Sequence, residues 1–434
     1  MKLQKQFILF VVLTFCTQLA FAQLDNLSNM SAEWMRTSAR NAATDATDIV
    51  VYNPAGLTSM DNGFRLNIGN QSLFRNPSHR YDFGTGGGEK EFKQDGADAF
   101  LPNLYVAYKN NSWALFGGMF VSGGGATMNY PHGSITTDMI AMQSLMAAQG
   151  AYTEAKDQHL KASSYYMTTA FGIAYQANKH FSFAISGRYL DAKNKTEAGM
   201  ILTSSPYGLN DVPLNLQTTD HASGYGAVMS MNVKANDKIN CSVRYETQVK
   251  LDFKTKQTKD DYGVTTDGAM NRRDLPAVFA FGAGFKITSK FSALVDYNYY
   301  FQKQANWGKS TMVTNEKSWS SMAGDAATYA LGLQYECSEK WVVSTGCAYS
   351  DFAYADKAGY YTRMGSFEVV QDDNFNTNCG FAFKPNKHIT LNAGYMHTFY
   401  KKESIKALNV QPLDVDVTVN NSLNAFAVGI DLNF

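Results

Sequence analysis

From Gly63 to its last residue the chain keeps one period: apolar and polar residues alternate along successive runs, with polar links between them. A repeat of two is the pleat of a β-strand. An amphipathic helix would instead repeat its apolar residues every three to four positions. In NCSVRYETQVKLDF, Cys241, Val243, Tyr245, Thr247, Val249, Leu251 and Phe253 share one face, and Ser242, Arg244, Glu246, Gln248, Lys250 and Asp252 share the other. The closing AFAVGIDLNF sets Phe426, Val428, Ile430, Leu432 and Phe434 against Ala427, Gly429, Asp431 and Asn433. Such faces suit a soluble sandwich with its polar side to water, or a barrel in lipid with its apolar side outward and its polar side lining a lumen.

The links decide between the two. Alternation predicts fourteen strands, over 63–76, 99–109, 112–123, 161–176, 180–195, 222–234, 238–254, 273–287, 290–305, 325–337, 340–352, 373–384, 387–402 and 419–434. The number is even and every second link is short. The other links, 77–98, 124–160, 196–221, 255–272, 306–324, 353–372 and 403–418, are long and polar. Long loops on one end only are the pattern of a membrane barrel with periplasmic turns and extracellular loops, which a sandwich has no reason to keep. Six tight links are flanked by large apolar or aromatic residues, among them Tyr108 and Trp113, Tyr175 and Phe181, Phe285 and Phe291, and Tyr335 and Trp341, as at an aromatic girdle. The expected fold is an all-β transmembrane barrel of about fourteen antiparallel strands, and a final strand ending on Phe resembles that of bacterial outer-membrane barrels.

Composition agrees. With 45% hydrophobic and 18% charged residues the chain is neither disordered nor fibrous, yet past the N-terminus no apolar run nears the roughly 20 residues of a spanning helix. Residues 1–22 read as a secretory signal: Lys2 and Lys5, the apolar FILFVVLTF, and a small-x-small site at Ala20–Ala22. Without those two lysines 36 basic residues face 38 acidic ones, which argues against a nucleic-acid partner. Parity puts Cys241, Cys337, Cys347 and Cys379 on the apolar outer face, so free thiols are expected; whether Cys347 and Cys379 are neighbours depends on the shear of the barrel.

A fourteen-stranded barrel would leak unless blocked, since eight strands leave a lumen that side chains can fill and sixteen leave a water channel. Residues 23–62 precede the first strand and are the candidate plug. Short helical stretches are expected around 32–43, followed by the apolar run Ile49–Tyr52, and Pro54 forces a turn after Asn53. The stretch ARNAATDATDIVVYNPAGLTSM resembles the N-terminal hatch of the FadL/TodX family of outer-membrane transport proteins, with Asn53, Pro54, Ala55, Gly56 and Leu57 matching its motif position by position. The resemblance covers the whole chain: a signal at 1–22, a hatch at 23–62 and a barrel at 63–434. It implies passive, hatch-gated transport of hydrophobic molecules, such as long-chain fatty acids or aromatic hydrocarbons, with lateral exit through the wall at an inward kink of the third strand. Gly117 and Gly118 lie mid-way along that strand, where paired glycines also suit a plain bulge or close packing.

Two further groups could meet such a cargo. In DMIAMQSLMAAQ, Met139, Met142, Leu145 and Met146 recur at helical spacing and could line an uptake groove or only anchor a loop helix. Lumen-facing Arg188 and Arg244 could hold a carboxylate head group, although Glu246 on the same face suggests that Arg244 is already paired. Partition alone supplies capture: at about 0.8 kcal/mol per methylene, a ten-carbon tail gains about 8 kcal/mol, or micromolar affinity. No HExxH, GxSxG or Walker A pattern occurs, GTGGGEK at 84–90 reads as a loop tip, and the dispersed histidines imply no metal or cofactor. The expected protein is thus not an enzyme but a monomeric transporter in contact with outer-membrane lipid. A scaffold or secretion component on the same barrel, or a general diffusion porin, is the alternative; steady conductance in a planar bilayer would mark the porin, and stable co-purification with envelope proteins the scaffold.

Overall fold

Alternation does produce strands, and they close on themselves. The computed structural model describes residues 31–82, 88–204, 208–308, 318–364, 368, 372–410 and 413–434; the expected signal peptide and loop tip 84–87 lie outside them. Among the described residues fourteen antiparallel barrel strands follow one another in chain order. They are β1 (Gly63–Arg75), β2 (Asp98–Asn110), β3 (Trp113–Tyr130), β4 (Glu154–Gln176), β5 (Phe181–Thr203), β6 (Val212–Lys234), β7 (Ile239–Glu246, resumed at Asp252–Asp260) and β8 (Met270–Arg272, resumed at Val278–Lys286). The rest are β9 (Phe291–Tyr300), β10 (Ala326–Glu336), β11 (Trp341–Phe352), β12 (Asn374–Asn386), β13 (Ile389–Tyr400) and β14 (Ser422–Asn433). The seam joins β14 to β1 from Arg65–Asn433 to Arg75–Leu423. At its foot Phe64 and Phe434 exchange backbone hydrogen bonds of 3.1 and 2.8 Å, so the last residue completes the ring. No described helix is long and apolar enough to cross a membrane.

The amphipathy is that of a membrane wall: along β5, Phe181, Phe183, Ile185 and Tyr189 are exposed while Ser182, Ser186 and Arg188 are buried. Above Tyr189 the polarity inverts, with Leu190, Ala192, Met200 and Leu202 buried inside and Asp191, Lys193, Lys195 and Glu197 exposed outside. The strand leaves hydrocarbon at that point and continues as an ordinary water-soluble sheet. β4, β5 and β6 run 23 residues each for this reason, well beyond the ranges expected from alternation. The short turns carry the expected ring belt, with Trp113 tilted against Tyr175 at 4.3 Å between ring centroids and Trp341 against Phe383 at 4.5 Å.

Three expectations need correction. The run 238–254 is not one strand: β7 breaks after Glu246, pairs with β6 at both ends, and folds inward between, so Val249, Leu251 and Phe253 are buried instead of facing lipid. The links 77–98 and 403–418 are not plain loops. They contribute strands 78–81, 90–93, 403–410 and 413–420 to a separate four-stranded extracellular sheet. The third lies in β3, whose pairing with β2 ends beyond its glycine pair. The four thiols are free; Cys347 and Cys379 pair with Thr377 and Thr345, which makes them diagonal neighbours across β11 and β12.

Candidate functional site: hatch, lumenal pocket and wall

Residues 31–62 lie inside the ring and are held by it. Helix α1 (Ala32–Thr37) starts on Ser31, whose hydroxyl accepts from the Trp34 amide, and ends at Ser38 in a left-handed turn. Arg40 is buried and ties the segment together through Asp48 at 2.6 Å and Asp45 at 2.7 Å. Helix α2 (Ile49–Tyr52) leads into a 3₁₀ turn over Pro54–Ser59. Anchors reach strands all round the barrel: Arg36 donates to Ser344 on β11 at 2.7 Å, Thr58 to Ser182 on β5 at 2.7 Å, and Asn67 and Asn392 donate to Glu33 at 2.9 and 2.6 Å. The Asp296 carboxylate on β9 accepts the backbone amides of Arg40 and Asn41 at 2.6 and 2.8 Å. Inward-facing Gly332, Gly346 and Gly394 leave room for this segment, Gly394 lying where a Cβ would stand 2.8 Å from that of Met35. Sequence reading missed them; glycine recurring at lumen-facing positions of β10, β11 and β13 was the available signal.

The five motif residues form one joint. Pro54 takes the first helical position, where no amide donor is needed. The Asn53 side chain accepts from Gly56 N at 3.2 Å and donates to Ala43 O at 3.0 Å and Asn232 Oδ1 on β6 at 2.8 Å. Ala55 and Leu57 are buried in the apolar cluster beneath. Gly56 is needed because a Cβ there would collide with the Asn53 amide, 2.9 Å from its Cγ and 3.1 Å from Thr44 Cγ2.

Above the hatch the lumen is greasy in tiers, read off the buried faces of β4–β6. Ala174 and Ala184 join Val50, Val51 and Phe116 at hatch level. Higher up, Tyr166, Leu190 and Ala222 meet Val249, Leu251 and Phe253 from the inward fold of β7. Higher still, Leu160, Met200 and Leu214 pack under the extracellular loops. Between the lower two tiers is a cavity of about 30 Å³ lined by Val51, Phe120, Leu275 and Tyr300 together with Ser122 and the ion-paired Arg188, Arg244 and Glu246. A cavity of that size holds about two waters by the measure in which one needs roughly 10–15 Å³. Beneath the hatch, by contrast, a larger cavity of about 360 Å³ opens among charged and polar groups, including Arg36, Asp45, Lys290, Glu336 and Lys384.

Both arginines are where parity placed them, and both are occupied. Arg188 is ion-paired with Glu246 and donates to Thr247 O at 2.7 Å. Arg244 meets Glu246 at 3.0 Å and donates to Tyr52 O at 2.5 Å, which links the wall to the hatch. The methionine group is not brought together. In helix α3 (Ile135–Ala147), Met139 enters the extracellular core beside Trp307 and Trp319, Leu145 packs on the neighbouring cluster, Met142 is half-buried and Met146 points to solvent.

The kink in β3 lies further along than its glycine pair suggested. Gly117 and Gly118 pair regularly with Val106 and Tyr105 on β2 and with Phe171 and Ala170 on β4. Pairing with β2 stops at Met119, while the register with β4 slips at 121–123 and 124–126. Gly124 has φ of 71° and would place a Cβ 2.7 Å from the Ser164 carbonyl carbon, so a side chain is excluded there on both counts. The strand turns inward, and Val121, which parity assigns to the lipid face, is buried with Leu73 and Leu101 under Tyr165 and Met167. The result is a break in the wall between 98–103 of β2 and 120–126 of β3, filled by apolar side chains and bounded on the inside by Phe120 of the lumenal cavity.

Over residues 11–434 the sequence matches the family described as outer membrane protein transport protein (OMPP1/FadL/TodX). No curated protein matches it. Among solved structures the chain is similar to a FadL homologue of Pseudomonas aeruginosa (TM-score 0.66, 13% identity, 94% of this chain and 98% of that one). It is also similar to the toluene transporter TodX of Pseudomonas putida (0.63, 14%, 89% and 94%) and the toluene transporter TbuX of Ralstonia pickettii (0.56, 13%, 94% and 99%). At these identities the structural likeness shows a shared barrel fold.

Proposed function

Given that this chain belongs to the OMPP1/FadL/TodX family of outer-membrane transport proteins, we propose that it carries neutral hydrophobic compounds from the extracellular side, through the tiered lumen, and out sideways at the β2–β3 break. The observation behind this reading is that the cavity above the hatch shares Phe120 with a break in the wall whose buried filling is mainly apolar, with Leu73, Leu101 and Val121 at its centre. A hydrophobic solute loses little in passing from one to the other, because the charges of the upper cavity are paired with one another, whereas the open charged cavity below the hatch would cost it the gain of partition. Arg188 and Arg244 already satisfy Glu246 and backbone carbonyls, which favours an uncharged cargo such as a monoaromatic hydrocarbon over a fatty-acid carboxylate. Gating follows from size: the cavity must enlarge to admit even a benzene ring, and Arg244 on Tyr52 couples that change to the hatch, supplying the difference in affinity that release requires.

The test is uptake of radiolabelled toluene and of a labelled long-chain fatty acid by cells lacking the gene and complemented with wild type or Val121→Asp. A charge in the break should lower toluene uptake about tenfold or more while the barrel stays heat-modifiable. Wild-type uptake by a folded Val121→Asp protein would place the exit elsewhere, and faster uptake of the fatty acid than of toluene would overturn the neutral-cargo reading.

A further inference from the structure

The wall that rises above the membrane on the β4–β7 side carries a concentration of charge unrelated to the lumen. Its height is set by Tyr189 and Tyr225, outward-facing partners in the β5–β6 register with ring centroids 5.1 Å apart, where the wall changes from greasy to polar. Amphipathic rings of this kind sit at the headgroup level of a bilayer. Two rungs and four rungs higher, the register reads Asp191 beside Ser223, then Lys193 beside His221 beside Lys254; the next outward rung is Lys195, Thr219, Lys256. Strand spacing makes this a grid of about 10 Å by 7 Å with a lysine at each corner. All four side chains are exposed, and none is in an ion pair among the described residues.

The acids on the same outward faces have other contacts. Asp191 holds His221 at 2.7 Å, Asp252 is engaged by Arg272 at 3.3 Å, and Glu197 lies directly opposite Lys161. Four cations with no ion-pair partner among the described residues repel one another on this lattice, an arrangement that an anion between them relieves. Lys193 is four residues beyond Tyr189, about 13 Å along a strand tilted by about 40°, so the grid stands roughly 10 Å above the ring level, within reach of flexible lysine stems bending back toward the membrane.

We propose that this grid is a docking surface for the phosphorylated headgroup of an outer-leaflet lipid, whose acyl chains lie along the apolar wall below Tyr189 and Tyr225. The occupant is a lipid and not a soluble anion because the lattice sits directly over lipid-facing rings on the outside of the barrel, where a headgroup is held at the right height by its own chains.

The full-length protein in nanodiscs, probed with a bisphosphorylated glycolipid and its dephosphorylated counterpart, decides the matter, with retention read by native mass spectrometry. Wild type should retain the phosphorylated form about tenfold more than the other, and Lys193→Gln, Lys195→Gln, Lys254→Gln and Lys256→Gln together should abolish the preference. Arginine at all four positions should restore it. Should the quadruple variant fail to fold, Lys193→Gln with Lys195→Gln alone should still reduce the preference measurably. Equal retention of both lipids by wild type, an unchanged preference in a folded variant, or full displacement by inorganic phosphate would each overturn the proposal, the last by showing a site for free anions.

Discussion

Replacing Asp296 by alanine should loosen the hatch without opening the barrel. The carboxylate is 3% exposed and accepts two hatch amides, at 2.6 Å from Arg40 N and 2.8 Å from Asn41 N. Hydrogen bonds to a charged acceptor contribute about 1.5–3 kcal/mol each, so the pair is worth about 3–6 kcal/mol to the hatch. Water entering the vacated space and the relieved burial of the carboxylate pull this toward the lower end. About 3 kcal/mol corresponds to roughly a 150-fold rise in the local opening equilibrium at residues 39–42. Hydrogen exchange followed by mass spectrometry reads that directly, with amides of β4 and β5 as internal controls, because those strands share no hydrogen bond with Asp296. Faster exchange at Arg40 and Asn41 alone is the expected result. Protection of those two amides unchanged within about threefold, in a protein whose barrel is intact, would refute the view that the wall holds the hatch through this carboxylate.

Two other outcomes follow from the geometry. Gly56→Ala pushes a methyl group into the Asn53 amide and should cost the hatch joint about 1–3 kcal/mol, seen as raised leak conductance in planar bilayers; a barrel as tight as wild type would refute it. In the extracellular sheet, burial between the Phe92 and Tyr130 rings holds His79 below its ordinary value of about 6.5, against a smaller upward pull from Glu368. The unfolded segment therefore binds a proton that the folded one refuses, and the sheet should lose stability as pH falls below about 6.5. Proteolysis of the extracellular loops should accelerate between pH 7.5 and 5, and His79→Phe should flatten the response; equal rates at both ends in wild type would contradict this.

The fold was legible because a membrane barrel writes its wall into a strict period of two and its orientation into the lengths of its links. The hatch motif was legible through its resemblance to that of the family, with Pro54 alone announcing a turn by its own chemistry. Val249 and Leu251 show where the pattern fails: an apolar residue on an alternating strand fits lipid and a greasy lumen equally, so a run that folds inward keeps its parity while its meaning reverses. The kink in β3 was misplaced for a related reason. Gly117, Gly118 and Gly124 look alike in sequence, and only the loss of pairing with β2 after Met119 selects the third. The extracellular sheet joins 78–93 to 403–420, a pairing across the whole chain that no local pattern can announce. The occupied state of Arg244 was foreshadowed by Glu246 two positions away; that of Arg188 was not, because its partner lies on another strand.

The meeting of Phe64 with Phe434 also dictates an order of events. The hatch precedes β1 in the chain and β14 follows every other strand of the wall, so the wall can shut only after the plug segment has been made. A tag fused after Phe434, or a deletion of that one residue, would therefore strike at maturation more than at the finished pore.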